Sequence, residues 1–363
     1  MTNVTELRVN RRDLTNTKIA EVELAPIEDG EALLEVTSFG ITANNVTYGV
    51  VGEQIGYWQF FPTPEAPETG IIPVWGFGTV VSSKSDDLKV GEELYGYFPM
   101  ATHMKMAPKR KGGAVFDTSA HRAQLPPAYN AYRPTADEPE FMQTRKDQRS
   151  VLFPLFATSY IIADWLQDND FFGAEQVIIT SASSKTSFGT GAALSKVAPG
   201  LKRIGLTSPG REEFVRSLNA YDEVISYDDI SQIDTSKPTA FVDMAGNAEI
   251  ITAVHNHLQD NVKTSAIVGA THWQAERQQA PLPGAKPTMF FAPAQIQKRD
   301  AELGAGVLMA NALKVWMEIS DGLGETLRFE HHAGGAAVDE VWKDTVRGTV
   351  SPDRGITASL LRR

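Results

Sequence analysis

Between residues 177 and 269 the chain alternates short apolar runs with helix-type segments, and this alternation restricts the fold more than any other feature. Five runs have the character of buried strands: residues 177–180, 203–207, 224–226, 239–243 and 265–269. Helix-type segments separate them, among them residues 212–218 and 248–258. Such alternation predicts a parallel sheet with right-handed crossovers. Ligands bind these sheets at the carboxyl ends of the strands.

The flanking regions have a different pattern. Short strand-type runs at residues 21–24, 32–36, 76–81 and 93–97 predict a small barrel or sandwich. Residues 105–150 combine a basic cluster with several prolines, which favours a long loop or a surface insertion. A helix is predicted over residues 301–319, and residues 355–360 look like a strand that returns to the first domain.

Composition narrows the class of protein. A length of 363 residues indicates two domains at about 150 residues each. The net charge of -11 disfavours nucleic-acid and anionic-membrane partners, because phosphates would be repelled. The chain has no cysteine, which excludes disulfides, thiol nucleophiles and cysteine-ligated metal. Without a signal-peptide core or a membrane-length apolar run, a cytoplasmic location is the default expectation.

The turn after the first central strand departs from the glycine-rich dinucleotide pattern. A strand that runs directly into a helix exposes backbone N–H groups and the positive end of the helix dipole, which suits a phosphate. Here polar side chains stand where glycines are expected, and we predict phosphate contacts from Ser181, Ser183, Ser184, Lys185, Thr186 and Ser187. The alternative is an ordinary serine-rich turn.

The end of the second central strand carries Ser208 and Arg211 and no acidic residue. An acid at this place would hold the ribose 2′-hydroxyl of NAD. An arginine and a hydroxyl group suit the 2′-phosphate of NADP instead, through charge-assisted hydrogen bonds. The alternative for Arg211 is a solvated side chain at the start of a helix.

Several segments together resemble the medium-chain dehydrogenase/reductase superfamily, in particular its zinc-independent, quinone-oxidoreductase-like branch. They are residues 34–45, 75–81, 88–96, 157–160, 219–225 and 241–246. The resemblance implies an α/β chain with a GroES-like β-barrel catalytic domain and a Rossmann NADP-binding domain. The catalytic domain would comprise residues 1–150 and 294–363, with the extension at about 105–150, and the Rossmann domain residues 151–293.

The resemblance also implies further positions. Gly269 and Ala270 would contact the dinucleotide, and Thr158 would lie near the nicotinamide. The active site would lie between the two domains, and a homodimer through the edge of the Rossmann sheet is possible. Zinc-dependent members have a cysteine at the position of Thr42 and a histidine at that of Val74, so no metal is expected here.

Hydrogen-bond donors near the position of the missing zinc ligand are the catalytic candidates. Asn44, Asn45 and Tyr48 could polarise a substrate carbonyl without carrying charge. Alternatively, these residues pin a turn or pack the barrel.

Residues that could line the substrate are Tyr57 and Trp58, in an aromatic run, and His272, which follows the fifth central strand. The aromatic run could equally be core or a dimer patch.

Three functions remain open from the sequence. The first is an NADPH-dependent, zinc-independent oxidoreductase that reduces a quinone, an enone or a related carbonyl compound, with a small-molecule substrate as its partner. The second is a non-catalytic dinucleotide-binding or sensor protein. The third is a partner subunit in a biosynthetic complex.

Overall fold

The computed structural model describes residues 1–268 and 281–361, and the chain divides into two compact units. The first unit comprises Met1–Pro154 and Leu327–Arg363, and the second comprises Leu155–Thr326. Residues 294–326 therefore group with the second unit, whereas the sequence assigned them to the catalytic domain. No helix within the described ranges is long and apolar enough to cross a membrane.

The first 152 residues are mainly short strands, with four helices of four to eight residues. The strands are β1 Thr2–Asn10, β2 Thr17–Leu24, β3 Ala32–Ile41, β4 Thr69–Gly70, β5 Pro73–Ser83, β6 Glu93–Pro99, β7 His103–Met106, β8 Pro108–Lys111, β9 Ala114–Asp117 and β10 Ala131–Pro134. The helices are α1 Ala43–Val50, α2 Gly52–Ile55, α3 Glu140–Thr144 and α4 Lys146–Val151.

Strands and helices alternate in the central part of the chain. Its strands are β11 Gln176–Ile179, β12 Lys202–Thr207, β13 Glu223–Ser226, β14 Thr239–Asp243, β15 Val262–Ile267 and β16 Thr288–Met289. Its helices are α5 Phe153–Asp168, α6 Lys185–Val197, α7 Glu212–Ser217, α8 Ala248–Leu258, α9 Ala292–Leu303 and α10 Val307–Thr326. The chain ends with β17 Arg328–Ala333, α11 Gly335–Arg347 and β18 Arg354–Ser359.

The first unit is built on a mainly antiparallel sheet in the order β17-β18-β3-β5-β6-β10-β9-β8, with β7 also paired to β3. The C-terminal strand β18 lies between β17 and β3, so the tail completes the N-terminal sheet. Phe39, Val74 and Trp342 are fully buried in the core of this unit. Each such side chain contributes about 1.5–3 kcal/mol through burial. At Gly76 an added Cβ would lie 2.2 Å from the Ser38 carbonyl oxygen, so β3 and β5 approach as closely as they do because this residue is glycine.

The segment 105–150 is not the surface insertion that its prolines and basic residues favoured. It contains β8, β9 and β10, which extend the sheet from β6. Val115 and Tyr132 are fully buried in the core, and Arg122 is 1 % exposed. Arg122 pairs with Asp117 at 3.2 Å and donates to the Tyr132 hydroxyl at 3.1 Å. Prolines suit the edges of these short strands, because a proline has no N–H for a ladder.

The second unit is a six-stranded parallel sheet in the order β13-β12-β11-β14-β15-β16. Numbered from β11, this is the order 3-2-1-4-5-6 of a dinucleotide-binding sheet. All residues of β11 and β14 are buried, which explains why their sequences are almost continuously apolar rather than alternating. The direction of the connections reverses between β11 and β14, which makes that point the expected ligand crevice.

Contacts from α9 and α10 to α5 and α6 explain why residues 294–326 belong to the second unit. The Arg299 guanidinium on α9 lies 3.1 Å from Asp164 on α5, and the Trp316 ring on α10 lies 5.4 Å from Phe156. The single helix predicted over residues 301–319 is interrupted, because Gly304 and Gly306 have φ values of 100° and 80°. Glycine adopts such values without steric cost.

Candidate cofactor and substrate sites

The carboxyl ends of β11 and β14 are joined by a buried polar link. The Thr180 hydroxyl donates a hydrogen bond to the Asp243 carboxylate at 2.7 Å and accepts one from the Met244 backbone amide at 2.8 Å. Asp243 also accepts the Gly246 amide at 2.7 Å. Burial raises the pKa of this carboxyl group, and the hydrogen bonds from Thr180, Gly246 and Ala245 partly offset the effect. The link therefore holds the crevice edge of the sheet in one arrangement.

The serine-rich turn that follows β11 is held by partners far away in sequence. Ser181 has a φ of 48°, a left-handed conformation that is uncommon for a non-glycine residue. Its amide donates to the Tyr227 hydroxyl at 2.8 Å, and the Tyr221 hydroxyl donates to the Ala182 carbonyl at 3.1 Å. Two tyrosines thus stabilise the backbone path that glycines provide in the usual motif.

Two of the serines predicted to bind phosphate are used by the protein itself. Ser187 is fully buried and donates to the Thr180 carbonyl at 2.8 Å. Ser184 is the N-cap of α6, where its hydroxyl accepts the Ser187 amide at 3.3 Å. The two hydroxyl oxygens are 2.7 Å apart. The hydroxyl of Ser187 is therefore used inside the core, and the hydroxyl of Ser184 caps the helix.

The remaining groups of the turn form a small anion cradle. Within the described ranges, the backbone amides of Ser183 and Thr186 have no hydrogen-bond acceptor. Both lie at the N-terminus of the 13-residue helix α6, where the dipole favours negative charge. Lys185 is the first residue of this helix and is partly exposed, and Ser181 and Ser183 are partly exposed as well. The backbone supplies the donors here, with Lys185 as the adjacent positive charge.

The close packing that glycine allows occurs one turn later, inside α6. An added Cβ at Gly189 would lie 2.6 Å from the Ser159 hydroxyl, and one at Gly191 would lie 2.6 Å from the Ala220 carbonyl oxygen. Ser159 donates to the Thr186 carbonyl at 2.7 Å and so joins α5 to the first turn of α6. The sequence pattern pointed to Thr158, which is partly exposed on α5, and not to its neighbour Ser159. Only the identity of Ser159 as a small polar residue in an apolar helix could have drawn attention to it.

The turn after β12 is open. Ser208 and Arg211 are exposed, and Arg211 is the N-cap residue of α7. Its guanidinium has no hydrogen-bond or ion-pair partner in residues 1–268 and 281–361. Glu212 and Glu213 follow in the first turn and oppose an anion at this place, so Arg211 is the charge that would have to offset them. β11 and β12 are adjacent, which puts this turn beside the serine-rich turn.

Three of the predicted residues lie outside the described part of the chain. They are Gly269 and Ala270, predicted to contact the dinucleotide, and His272, predicted to line the substrate.

In the first unit, Asn45 has a structural role. Its side-chain oxygen accepts the Thr42 amide at 2.8 Å, and its side-chain nitrogen donates to the Pro73 carbonyl at 3.0 Å. With 3 % of its surface exposed, it ties the start of α1 to β5. Both ends of the amide thus bond to the protein, and donation to a substrate by Asn45 stays a prediction.

Tyr48 is buried, and its hydroxyl group is protonated and can donate a hydrogen bond. Its oxygen accepts the Trp75 indole N–H at 3.3 Å and a hydrogen bond from Asn44. Burial, together with the nearby Tyr57, raises the pKa of Tyr48 despite these hydrogen bonds. The phenol consequently stays protonated at neutral pH. No acceptor within the described ranges takes its hydrogen.

The two aromatic substrate candidates differ. Tyr57 packs on Tyr48 with ring centroids 4.6 Å apart and shares a hydrogen bond with Tyr129 at 2.9 Å. Trp58 is 2 % exposed, and added Cβ atoms at Gly52 and Gly70 would each lie 2.4 Å from its ring. Trp58 is therefore packed in the core, with almost no surface left for a substrate.

Two further aromatic residues beside Tyr48 were missed. The Tyr97 ring lies 5.7 Å from Tyr48 and 4.6 Å from Tyr129, and its buried hydroxyl has no hydrogen-bond partner in the described residues. Tyr129 comes from the 105–150 segment and is partly exposed, as is Trp75. Three buried phenols, Tyr48, Tyr57 and Tyr97, thus pack together with two partly exposed rings. No local pattern in the sequence joins residues 48, 97 and 129.

The two residues at the positions of the zinc ligands of other enzymes make contacts within the protein here. Val74 is fully buried, and Thr42 donates its hydroxyl hydrogen to Asn45 at 3.2 Å. Within the described ranges no three His, Asp or Glu side chains come together in a way that could hold a metal ion.

The second unit has the donor set that a dinucleotide needs. The unused amides at the start of α6 suit a pyrophosphate, and Arg211 suits a further phosphate at the next strand end. These residues fit NADPH, which would be held by the backbone of residues 183–186 and by Arg211.

Solved structures with a similar fold include enzymes of the medium-chain dehydrogenase/reductase superfamily. CurA from Vibrio vulnificus in complex with NADPH is 11 % identical, with a TM-score of 0.63 and coverage of 99 % of this chain and 100 % of that chain. A putative NADPH:quinone reductase from Bacillus thuringiensis is 11 % identical, with a TM-score of 0.60 and 99 % of both chains covered. S. aureus TarJ in complex with NADPH is 10 % identical, with a TM-score of 0.59 over 99 % of this chain and 100 % of that chain.

These likenesses confirm the predicted fold, a GroES-like unit with a Rossmann unit, and at such identities they concern the fold alone. No curated protein sequence matches the chain. One family model, described as "Protein of unknown function (DUF2855)", matches residues 39–351, which is most of the chain. The chain therefore belongs to the DUF2855 family.

Proposed function

We propose that this protein is an NADPH-dependent, zinc-independent oxidoreductase that reduces a conjugated or quinone-type carbonyl compound. The observation that carries the proposal is the pair of strand ends in the second unit. At one end, unused amides lie at the start of α6; at the neighbouring end, the Arg211 guanidinium has no partner in the described residues. The first suits a pyrophosphate and the second suits a 2′-phosphate. Two of the NADPH complexes with this fold, CurA and TarJ, support the choice of cofactor.

NADPH, when bound, supplies the hydride. The residues of this chain would orient the acceptor and stabilise the negative charge that develops on its oxygen. Tyr48 suits this task, because its oxygen is fixed by Trp75 and its hydrogen points to no acceptor in the described chain. A protonated phenol can hydrogen-bond the carbonyl oxygen and then transfer its proton to it. Water would return the proton to Tyr48 afterwards.

The test has two stages. Fluorescence titration with NADPH and NADH measures binding, and NADPH oxidation is then followed with a panel of quinones and enones. We expect preferential NADPH binding and turnover with at least one acceptor. Saturable binding without turnover across the panel would instead favour a dinucleotide sensor, and an absence of NADPH binding would contradict both functions.

A Tyr48→Phe variant tests the proton donor. Loss of a positioned acid lowers turnover by about 100-fold or more, while NADPH affinity stays unchanged. Tyr95→Phe is the matched control, because Tyr95 is a buried phenol of the same unit whose hydroxyl donates to the Arg149 carbonyl. Equal turnover in Tyr48→Phe and the control would exclude Tyr48 as the donor.

A further inference from the structure

The serine-rich turn after β11 depends on a side chain to accept one of its backbone amides. The amides of Thr180, Ala182 and Ser184 donate to backbone carbonyls. The amide of Ser181 instead donates to the Tyr227 hydroxyl, at 2.8 Å. A side chain from a distant part of the sequence therefore completes the backbone network that leads into the anion cradle.

Tyr227 comes from the third strand end of the same sheet. It directly follows β13, which pairs with β12, and β12 pairs in turn with β11. The phenol therefore reaches the turn across the end of the middle strand. Its ring packs against the apolar core of the second unit, and Ser226 caps the short helical turn that begins at Tyr227. Contacts outside the serine-rich turn thus hold the hydroxyl in place.

The conformation of Ser181 explains why this hydrogen bond matters. With a φ of 48°, Ser181 is in the left-handed region, which is unfavourable for an L residue and free of steric cost for glycine. In the usual motif the first glycine makes this tight turn. The hydrogen bond to Tyr227 offsets the cost that serine incurs. A change of φ at Ser181 would displace the residues that follow it, among them Ser183, whose amide belongs to the anion cradle.

The acceptor carries no charge, which suits a turn that binds an anion. Burial raises the pKa of Tyr227, and the hydrogen bonds from Ser181 offset the rise only in part. The phenol is therefore neutral at neutral pH. An aspartate or glutamate in the same place would accept the amide but would repel the phosphates of a dinucleotide.

We propose that Tyr227 is a positioning residue for the dinucleotide. Its hydroxyl holds Ser181 in the conformation that glycine supplies in the usual motif, and so keeps the amides of the anion cradle in place for the pyrophosphate. The proposal rests on the proposed function, because it takes the cradle to bind a dinucleotide. Tyr227 acts through the backbone of the turn, whereas Arg211 would contact the 2′-phosphate. Loss of the Tyr227 hydroxyl is therefore expected to weaken NADPH and NADH alike.

Tyr227→Phe removes the hydroxyl and keeps the ring. Fluorescence titration of the full-length protein measures the dissociation constants of NADPH and NADH, and thermal unfolding checks that the variant is folded at the temperature of the titration. We expect both constants to rise roughly fivefold, which corresponds to the loss of one hydrogen bond. Unchanged constants would overturn the proposal. A rise for NADPH alone would overturn it as well, because it would place the phenol on the 2′-phosphate.

A double-mutant cycle separates positioning from a general loss of stability. The effect of Tyr227→Phe on both dissociation constants is measured in the parent, in Ser181→Gly and in Ser181→Ala. Glycine adopts the left-handed conformation without help from the phenol, so we expect Tyr227→Phe to have almost no effect in Ser181→Gly. Ser181→Ala is the matched control, because it removes the same hydroxyl without freeing the backbone, and there the full effect is expected.

The outcomes distinguish this proposal from the proposed function. If the parent binds neither NADPH nor NADH, the proposed function fails and the role of Tyr227 fails with it. If the parent binds them and Tyr227→Phe has the same effect in Ser181→Gly as in Ser181→Ala, only the role of Tyr227 is wrong. An effect that disappears in Ser181→Gly alone supports it, because a purely structural hydrogen bond would not depend on the conformational freedom of residue 181.

Discussion

Two neighbouring turns of the second unit, after β11 and after β12, look equally suited to phosphate in the sequence but differ in the structure. In the first, the hydroxyls of Thr180, Ser184 and Ser187 bond to the protein itself. In the second, Ser208 and Arg211 are exposed. The difference teaches that polar residues at a strand end can build a site without touching its ligand. Substitutions in the first turn should mainly change stability, and those in the second should mainly change affinity.

For the turn after β11, the largest loss of stability is expected for Thr180→Val. The change leaves Asp243 and the Met244 amide without their buried partner, and we expect a loss of about 3 kcal/mol in the free energy of unfolding. Urea denaturation measures it. The control is Thr190→Val, whose hydroxyl bonds, among the described residues, only to the Thr186 carbonyl of the same helix. A loss in Thr180→Val no larger than in this control would show that the link between β11 and β14 is dispensable.

For the turn after β12, Arg211→Ala should weaken NADPH binding and leave the free energy of unfolding unchanged. A charge-assisted hydrogen bond contributes about 1.5–3 kcal/mol, which is a roughly 10- to 100-fold change in dissociation constant. NADH binding should stay constant. Arg216→Ala, an exposed arginine at the other end of α7, is the control. Parallel losses for NADH and NADPH would remove the assignment of the 2′-phosphate to Arg211.

Ser184→Ala and Ser183→Ala separate the two roles within one turn. Loss of the N-cap at Ser184 should cost about 1 kcal/mol of stability and weaken NADH and NADPH equally, because the helix start loosens. Ser183 makes no side-chain hydrogen bond in the described chain, so its substitution should leave stability within about 0.5 kcal/mol of the parent. Thermal unfolding with and without cofactor measures both. A larger stability loss in Ser183→Ala would reverse the assignment.

The smallest expected effect is a pH dependence of stability that arises from a histidine of the second unit. His255 is fully buried between the Pro283 carbonyl at 2.8 Å and the Ser265 hydroxyl at 2.9 Å, and burial lowers its pKa below 6.5. The unfolded chain therefore binds a proton more readily than the native one, so stability should fall as the pH drops below about 6.5. Urea midpoints between pH 7.5 and 5.5 test this. His255→Gln should flatten the dependence, and an unchanged slope would assign it to another group.

The central sheet could be predicted from the sequence because each strand and helix has a local signature. The predicted helix at 248–258 has the bounds of α8, and the five predicted strands of the central sheet correspond to β11 through β15. The 105–150 segment could not be predicted in the same way. Its strands are only four residues long, and prolines stand at the ends of two of them. Burial of Tyr132 depends on β6 and on Arg122, neither of which belongs to its own local pattern.

The site shows the same division at the level of single residues. The identity of Arg211 and the absence of an acid beside it are read directly from the chain, and the strand that precedes them fixes where they lie. The direction of a hydroxyl is different. Ser187 is turned inward because the Thr180 carbonyl accepts its hydrogen, and Ser181 is held by Tyr227, 46 positions away.

The sequence by itself determined three things about this protein. They are the positions of the strands and helices of the central sheet, the absence of a cysteine that could ligate a metal, and the positive charge at the end of the second central strand. Only the tertiary structure decided which polar groups remain for a ligand, because each buried hydroxyl or amide first satisfies the nearest unpaired group of the protein. On that rule Asn45 and Ser187 became parts of the scaffold, and packing placed Trp58 in the core. Tyr48, Arg211 and the amides at the start of α6 became the candidates for chemistry.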